Sequence, residues 1–210
     1  MRPLTLILVR HGHVEGIHPE RFRGRIDLPL TPLGREQAAA TARFIADNWQ
    51  AKAVYTSPLE RCRDTGTAIA KAQGLDIEPM PELVDINYGS WQGRTRAEVE
   101  ANEPELFHAW MKHPQLTVID GADSLQDVQA RLVRALNHMR RAHPGETVIA
   151  VGHDSTNRVF LTLGLDTPLS RYWHLQQDPC AINVLRFDES GCRVVAVNQT
   201  SHLSGVAQKS

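Results

Sequence analysis

The sequence sets Arg10 and His11 side by side after a short apolar run, Arg61 at the end of Ser57-Pro58-Leu59-Glu60-Arg61, and His153 with Asp154 after another apolar run. A guanidinium keeps its charge at any physiological pH and donates two parallel hydrogen bonds from a planar fork, which suits it to phosphate oxygens. Two such forks facing one point imply a dianion between them. In that setting a histidine nitrogen can attack phosphorus, forming a covalent phosphoryl intermediate that water then hydrolyses. The transition state for phosphoryl transfer is loose and its charge is spread over the equatorial oxygens, so the protein mainly positions groups and stabilises charge. Arg10, Arg61 and a protonated His153 would supply that stabilisation. A carboxylic acid is still needed to give a proton to the leaving oxygen.

These side chains meet only if the elements carrying them converge. Residues 4–9 are apolar on both faces, which predicts a fully buried strand. Thr31 and Pro32 predict an N-cap and first turn, opening a helix with Leu33, Ala40, Phe44 and Ile45 on one side. The alternation recurs: a strand over 53–56, then a helix capped by Ser57, started by Pro58 and stopped at Gly74. Leu125, Val128, Leu132, Val133, Leu136 and Met139 recur at three- and four-residue steps, predicting an amphipathic helix, with Asp123 and Gln126 placed for a capping box. A buried strand follows in Thr147-Val148-Ile149-Ala150-Val151-Gly152, and 181–187 with 192–197 read as a β-hairpin.

Strands alternating with helices predict an α/β three-layer sandwich: a mostly parallel central sheet with an antiparallel hairpin strand at one edge. Residues 83–122 break the alternation. They contain Trp91, Trp110, a helix near 95–111 and several Pro and Gly residues, and are expected to form an insertion covering the carboxyl ends of the strands, with the tryptophans in its core. In open sheets of this kind ligands bind beyond those ends.

Composition narrows the class. At 210 residues the chain is long enough for one domain with a sizeable core, and one domain over 1–210 is expected. Its 23 Lys and Arg nearly balance 24 Asp and Glu, so neither a nucleic-acid nor a membrane partner is implied. The first apolar run is too short for a membrane span, and no small-residue cleavage site follows it. Cys62, Cys180 and Cys192 are odd in number and widely spaced, which implies reduced thiols rather than a disulfide framework or thiolate metal site. A cytoplasmic protein is expected; no oligomeric state is implied.

The segments LVRHG, SPLER, LVDINYGSWQG and GHD, in that order and spacing, resemble the histidine phosphatase superfamily, also called phosphoglycerate mutase-like. The stretch RFRGRIDLPLTPLGREQA is similar to its phosphatase members, so the resemblance spans residues 5 to 160. It implies that His11 is the phosphorylated residue, that Arg10, Arg61 and His153 form the phosphate pocket, and that Arg23 and Gly24 lie near the substrate. It also implies that the proton donor precedes Tyr88.

Three departures from the family pattern stand out. Asp85 occupies the place where a glutamate is usual, and aspartate can do the same transfer if the backbone comes closer; Glu82, three residues earlier, is less well aligned. Asp154 follows His153 where near relatives often have glycine, and the acid-phosphatase and phytase branch uses an aspartate there as proton donor. Asp154 is therefore the alternative acid, although it also suits the N-cap of a helix beginning at Ser155. His13 and Ile17 stand where an acidic residue and an asparagine are more typical. Arg21, Arg23 and Arg25 form a basic loop that either meets an acidic substrate or is simply solvated.

The leading expectation is a phosphomonoesterase acting on a small phosphorylated metabolite with no metal or cofactor. A mutase calls for a longer lid, and the additional segments of the phosphoglycerate mutases are missing from this sequence. A metallohydrolase using His11 and His13, on one face if the strand continued, is disfavoured by Arg10 beside the cation. A non-catalytic phosphate-binding module is allowed by the departures at His13, Ile17 and Asp85. Sugar phosphates, phosphoglycerates, phosphoserine and ribazole phosphate all remain open as substrates.

Overall fold

The computed structural model describes residues 2–206. Six strands form one sheet: β1 (Leu4–Arg10), β2 (Ala53–Thr56), β3 (Ile77–Pro79), β4 (Thr147–Gly152), β5 (Ile182–Asp188) and β6 (Gly191–Gln199), in the spatial order β3-β2-β4-β1-β5-β6. The four strands from β3 to β1 run parallel; β5 is antiparallel to β1, and β6 returns antiparallel to β5 as the edge strand. This is the mixed α/β sandwich the alternation predicts. The short β3 has no counterpart in the sequence reading: it has three residues, ends in Pro79 and is mostly exposed, so it lacks the apolar run that marks the others.

The helices are α1 (Pro32–Asn48), α2 (Glu60–Gln73), α3 (Arg96–Asn102), α4 (Pro104–Lys112), α5 (Leu125–Ala142) and α6 (Asp154–Gly164). Side chains of β1 alternate between two cores. Ile7 and Val9 join α1 and α2 through Ile45, Cys62 and Ile69. Leu6 and Leu8 join α5 and α6 through Val128, Leu132 and Phe160, and this cluster also takes in Trp91 and Trp110 of the 83–122 segment, 0% and 2% exposed. Both tryptophans are thus core, as expected.

Local signals were right about where helices occur and less accurate about their caps. Thr31 caps α1 by accepting from the Gly34 N–H at 3.1 Å, with Pro32 opening the helix, and Gly74 ends α2 in the left-handed region at φ +68°. The cap of α5 is Ser124, not Asp123: its hydroxyl accepts from the Asp127 N–H at 3.1 Å while Asp127 Oδ2 accepts from the Ser124 N–H at 3.0 Å. Asp123 is drawn off to Arg25 Nη2 (2.8 Å) and the Asn87 N–H (3.0 Å). On α5, Val133 is 38% exposed and does not belong to the buried stripe. The helix expected near 95–111 is two, α3 and α4, because Pro104 has no N–H to continue the ladder and disfavours helical geometry at Glu103. Among the described residues no helix is long and apolar enough to cross a membrane.

Candidate active site

Strand register brings the site together. Arg10 is paired with Gly152 and Thr56 with Val151, so the residues one step further along, His11, His153 and Ser57, leave three adjacent strands side by side. The His11 N–H donates to Gly152 O and the Ser57 N–H to Val151 O, both at 3.0 Å, which extends the ladder one rung past the strands. The two imidazole rings then meet edge-on with centroids 5.3 Å apart. Gly12 must be glycine: a Cβ there would lie 2.5 Å from Gly34 O.

Each histidine has its proton fixed by a neighbour. His11 Nδ1 lies 2.7 Å from Gly12 O; a carbonyl only accepts, so Nδ1 carries the hydrogen and Nε2 carries the lone pair. Burial, then the charges of Arg61, Arg10 and Arg23, hold the pKa of His11 well below the ordinary histidine value, so it is neutral. For His153, Arg61 Nε donates to Nδ1 at 3.1 Å, leaving the proton on Nε2, 2.8 Å from Ser57 Oγ. The protonated His153 expected from the sequence is not what this environment favours. Burial, then Arg61 and His11, push its pKa well below the ordinary value.

Three guanidiniums, those of Arg61, Arg10 and Arg23, lie close enough to act on the charge of His11. Arg10 is buried, bonds Gln177 O through Nη1, and has an Nε with no partner among the described residues. Arg61 is fully buried and spends its donors on Gly24 O (2.7 Å), Ile26 O (2.8 Å), His153 and, at 3.4 Å, Asp85 Oδ2. Arg23 lines one cavity together with His11, Gly24, Asp85 and Asp154. Its loop is fixed by Phe22, 4% exposed, whose ring sits 5.0 Å from those of both Tyr88 and Trp91. Burying a phenylalanine contributes about 1.5–3 kcal/mol, enough to hold a short loop. The three arginines of that loop have different partners: Arg21 reaches Gly93 O, Arg23 reaches Gly16 O, and Arg25 holds Asp123 together with the backbone oxygen of Asp85.

Both candidate acids open on this cavity, with opposite tendencies. Burial raises the pKa of Asp85 above the ordinary carboxylate value, outweighing the lowering by Arg61, Arg23 and the Ile86 N–H. Burial would raise that of Asp154 as well, but Arg10 and then Arg158, whose Nε donates at 2.7 Å, hold it below. Asp154 does not cap α6; the cap is His153, and Asp154 is the first helical residue. Glu82 lies in a 3-10 turn, where its carbonyl accepts from Arg131.

His13 and Ile17 line a separate cavity of about 580 Å³, together with Leu33 and Asp178. β1 ends at Arg10, so His11 and His13 are not on one strand face.

Sequence reasoning missed Ser57 as a partner of His153, taking it for the cap of α2. That helix starts at Glu60 after Leu59, with no side-chain cap. It also missed Gln177, and missed Glu20, Arg96 and Trp173, which line the outer part of the His11 cavity. Gln177 and Glu20 lie outside helices and strands, Arg96 opens α3, and Trp173 lies in a short 3-10 helix, where no long periodic signal exists.

A mixed α/β sheet with a buried histidine and three arginines beyond its strand ends defines a phosphoryl-transfer class of fold and site. Residues 6–200 match the Histidine phosphatase superfamily (branch 1), and the chain belongs to that family. It is 33% identical over 202 residues to a bifunctional protein of Mycobacterium tuberculosis, covering 96% of this chain but only 55% of that one; the chain thus spans about half the length of that relative. It is 30% identical over 200 residues to phosphoserine phosphatase 1 of Hydrogenobacter thermophilus, covering 95% of this chain and 94% of that one. Among solved structures, YhfR of Bacillus stearothermophilus superposes with a TM-score of 0.89 at 27% identity, covering 95% of this chain and 99% of that one.

Proposed function

We propose that the chain is a metal-independent phosphomonoesterase that hydrolyses small phosphorylated metabolites through a phosphohistidine at His11. The observation that carries this reading is the state of His11: neutral, with its hydrogen held on Nδ1 and a lone pair on Nε2, in a cavity it lines with Arg23 and Asp85 and under the charges of Arg61 and Arg10.

Nε2 of His11 attacks phosphorus, the bond from phosphorus to the ester oxygen breaks, and Asp85 gives that oxygen its proton. Water then attacks the phosphohistidine, Asp85 takes a proton from it, the N–P bond breaks, and phosphate leaves with His11 and Asp85 restored. The Gly12 carbonyl stabilises the Nδ1–H while the ring carries positive charge.

Arg10 and Arg23 hold phosphoryl oxygens, the former through the Nε that has no partner among the described residues; leaving such a buried donor unpaired costs about 1–3 kcal/mol. Arg61 adds charge from beneath and orients His153. A dianion nearby would oppose the lowering of the His153 pKa, while its two nitrogens stay engaged with Arg61 and Ser57. Asp154 stays ionised, tied to Arg158, and is not the acid. Three guanidiniums already supply the charge a divalent cation would bring, and a cation among them would be repelled.

Residues 1–210 act as one catalytic domain with 83–122 as its cover, in the cytoplasm, on a soluble metabolite rather than nucleic acid or membrane. Near-balanced charge and three free cysteines support this. The deciding experiment is acid quench during turnover of a phosphate ester. A phosphoramidate on His11 is expected, and a label on any other residue would move the site.

A further inference from the structure

Between Ile182 and Leu185 the buried strand β5 carries one polar side chain, Asn183, which is 0% exposed and stands opposite Leu8 of β1. A carboxamide can make four hydrogen bonds, and burying one without them is costly. Asn183 makes all four: Nδ2 donates to Leu8 O (3.0 Å) and Gln177 Oε1 (2.8 Å), and Oδ1 accepts from Gln177 Nε2 (2.9 Å) and the Asn198 N–H (2.9 Å). The Gln177 side chain, also buried, gives its remaining hydrogen to Gln176 O at 2.7 Å.

A second reciprocal pair holds the same segment. The Asp178 N–H donates to Asn198 Oδ1 at 2.7 Å, and Asn198 Nδ2 donates to Asp178 Oδ2 at 2.8 Å. Ile182 pairs with Gln199 but Val184 pairs with Ala196, so β6 carries one extra residue there, with Asn198 in the left-handed region at φ +51°. Bulges of this kind re-aim side chains beside functional sites.

The two pairs fix the backbone on either side of the Gln177 carbonyl, and that carbonyl accepts from Arg10 Nη1. A guanidinium is planar and rigid, so holding one of its nitrogens limits where the others can point. A buried polar network with every member satisfied rigidifies what it touches. We infer that Gln177 and Asn183 form a carboxamide clamp that aims Arg10 at the phosphoryl group, both being positioning residues for the transfer. This rests on the phosphomonoesterase reading above.

The test is a double-mutant cycle. Gln177→Met keeps the side-chain length and the backbone carbonyl but removes the amide. It should lower kcat/KM about tenfold, and by the same factor for p-nitrophenyl phosphate and an alkyl phosphate, because Arg10 serves the phosphoryl group they share. In an Arg10→Ala background the same substitution should cost less than about twofold, since residues that act through one partner are not additive. A loss of folded chains would lower both backgrounds equally, so the cycle separates aim from integrity. Asn198→Gly keeps the left-handed backbone and the N–H to Asn183 but loses the tie to Asp178; it is the milder variant and should lose about threefold. Equal losses in both backgrounds, or full activity in both Gln177→Met and Asn198→Gly, would overturn the clamp. The Kd for inorganic phosphate, measured by calorimetry, should weaken in Gln177→Met by about the same tenfold. A parent chain that binds phosphate but hydrolyses no ester would end the phosphomonoesterase reading, and the clamp would then stand or fall on that Kd.

Discussion

His11 and His153 stand edge-on at 5.3 Å, yet their protons are fixed on different nitrogens, Nδ1 in His11 by Gly12 O and Nε2 in His153 by Arg61 and Ser57. One ring therefore presents a lone pair to the cavity while the other is held by the protein on both of its nitrogens. The difference comes from neighbours, not from the rings, and each prediction below alters one neighbour or one ring.

Replacing His11 with alanine should lower turnover by more than about a thousandfold, because the substitution removes the nucleophile itself. Circular dichroism should be unchanged. Turnover within tenfold of the parent enzyme would end the nucleophile assignment.

Asp85→Asn should lower kcat for alkyl phosphates by about 10²–10⁴, the usual worth of a general acid. It should cost much less with p-nitrophenyl phosphate, whose leaving oxygen needs no proton. Asp154→Asn should reduce both substrates alike, since Asp154 acts as a fixed charge near Arg10 and Arg158. The reverse pattern would exchange their roles.

Activity should rise with pH as His11 loses its proton at a pKa well below 6.5, and fall as Asp85 ionises at a pKa raised above 3.8. The optimum is expected on the acid side, and Asp85→Asn should remove the falling limb. Stability follows a related course. His11 and His153 resist protonation when folded, so the unfolded chain binds more protons below about 6.5, and folding weakens as pH falls below that value. Urea midpoints measured between pH 8 and pH 5 should decline, and His153→Gln should flatten the decline.

Ser57→Ala should lower stability by about 1 kcal/mol, the worth of one buried hydrogen bond, and lower kcat more than it raises KM. Ser57→Thr, which keeps the hydroxyl, should recover most of both. A change in KM alone would mean that Ser57 does not act through His153.

Much of this was legible in the sequence because it rests on strands. β1, β2 and β4 are apolar on both faces, which marks them as central parallel strands, and the residues that follow them meet because central strands are neighbours. The hairpin was legible for a similar reason: Gly191 follows Glu189 and Ser190 between two β-rich runs. The caps of α5 and α6 were each misplaced by one residue because Asp, Ser and His compete locally for the same role, and tertiary partners such as Arg25 decide among them. In the sequence the preference between Asp85 and Asp154 rests on family pattern and on an N-cap role for Asp154 that His153 in fact fills. In the structure it depends on Arg158 approaching one carboxylate and on burial around the other, and neither follows from spacing.

The pairing of Arg10 with Gly152 has a further bearing. Were β1 to slide by one rung, Leu6 and Leu8 would exchange faces with Ile7 and Val9, both hydrophobic layers would be wrong, and the nucleophile would pass its neighbour at the same moment. Armament and integrity are thus one property here: a molecule is intact or it is inert. Specific activity should then count native chains directly, so that ageing or heat-damaged samples lose amplitude without any drift in substrate preference.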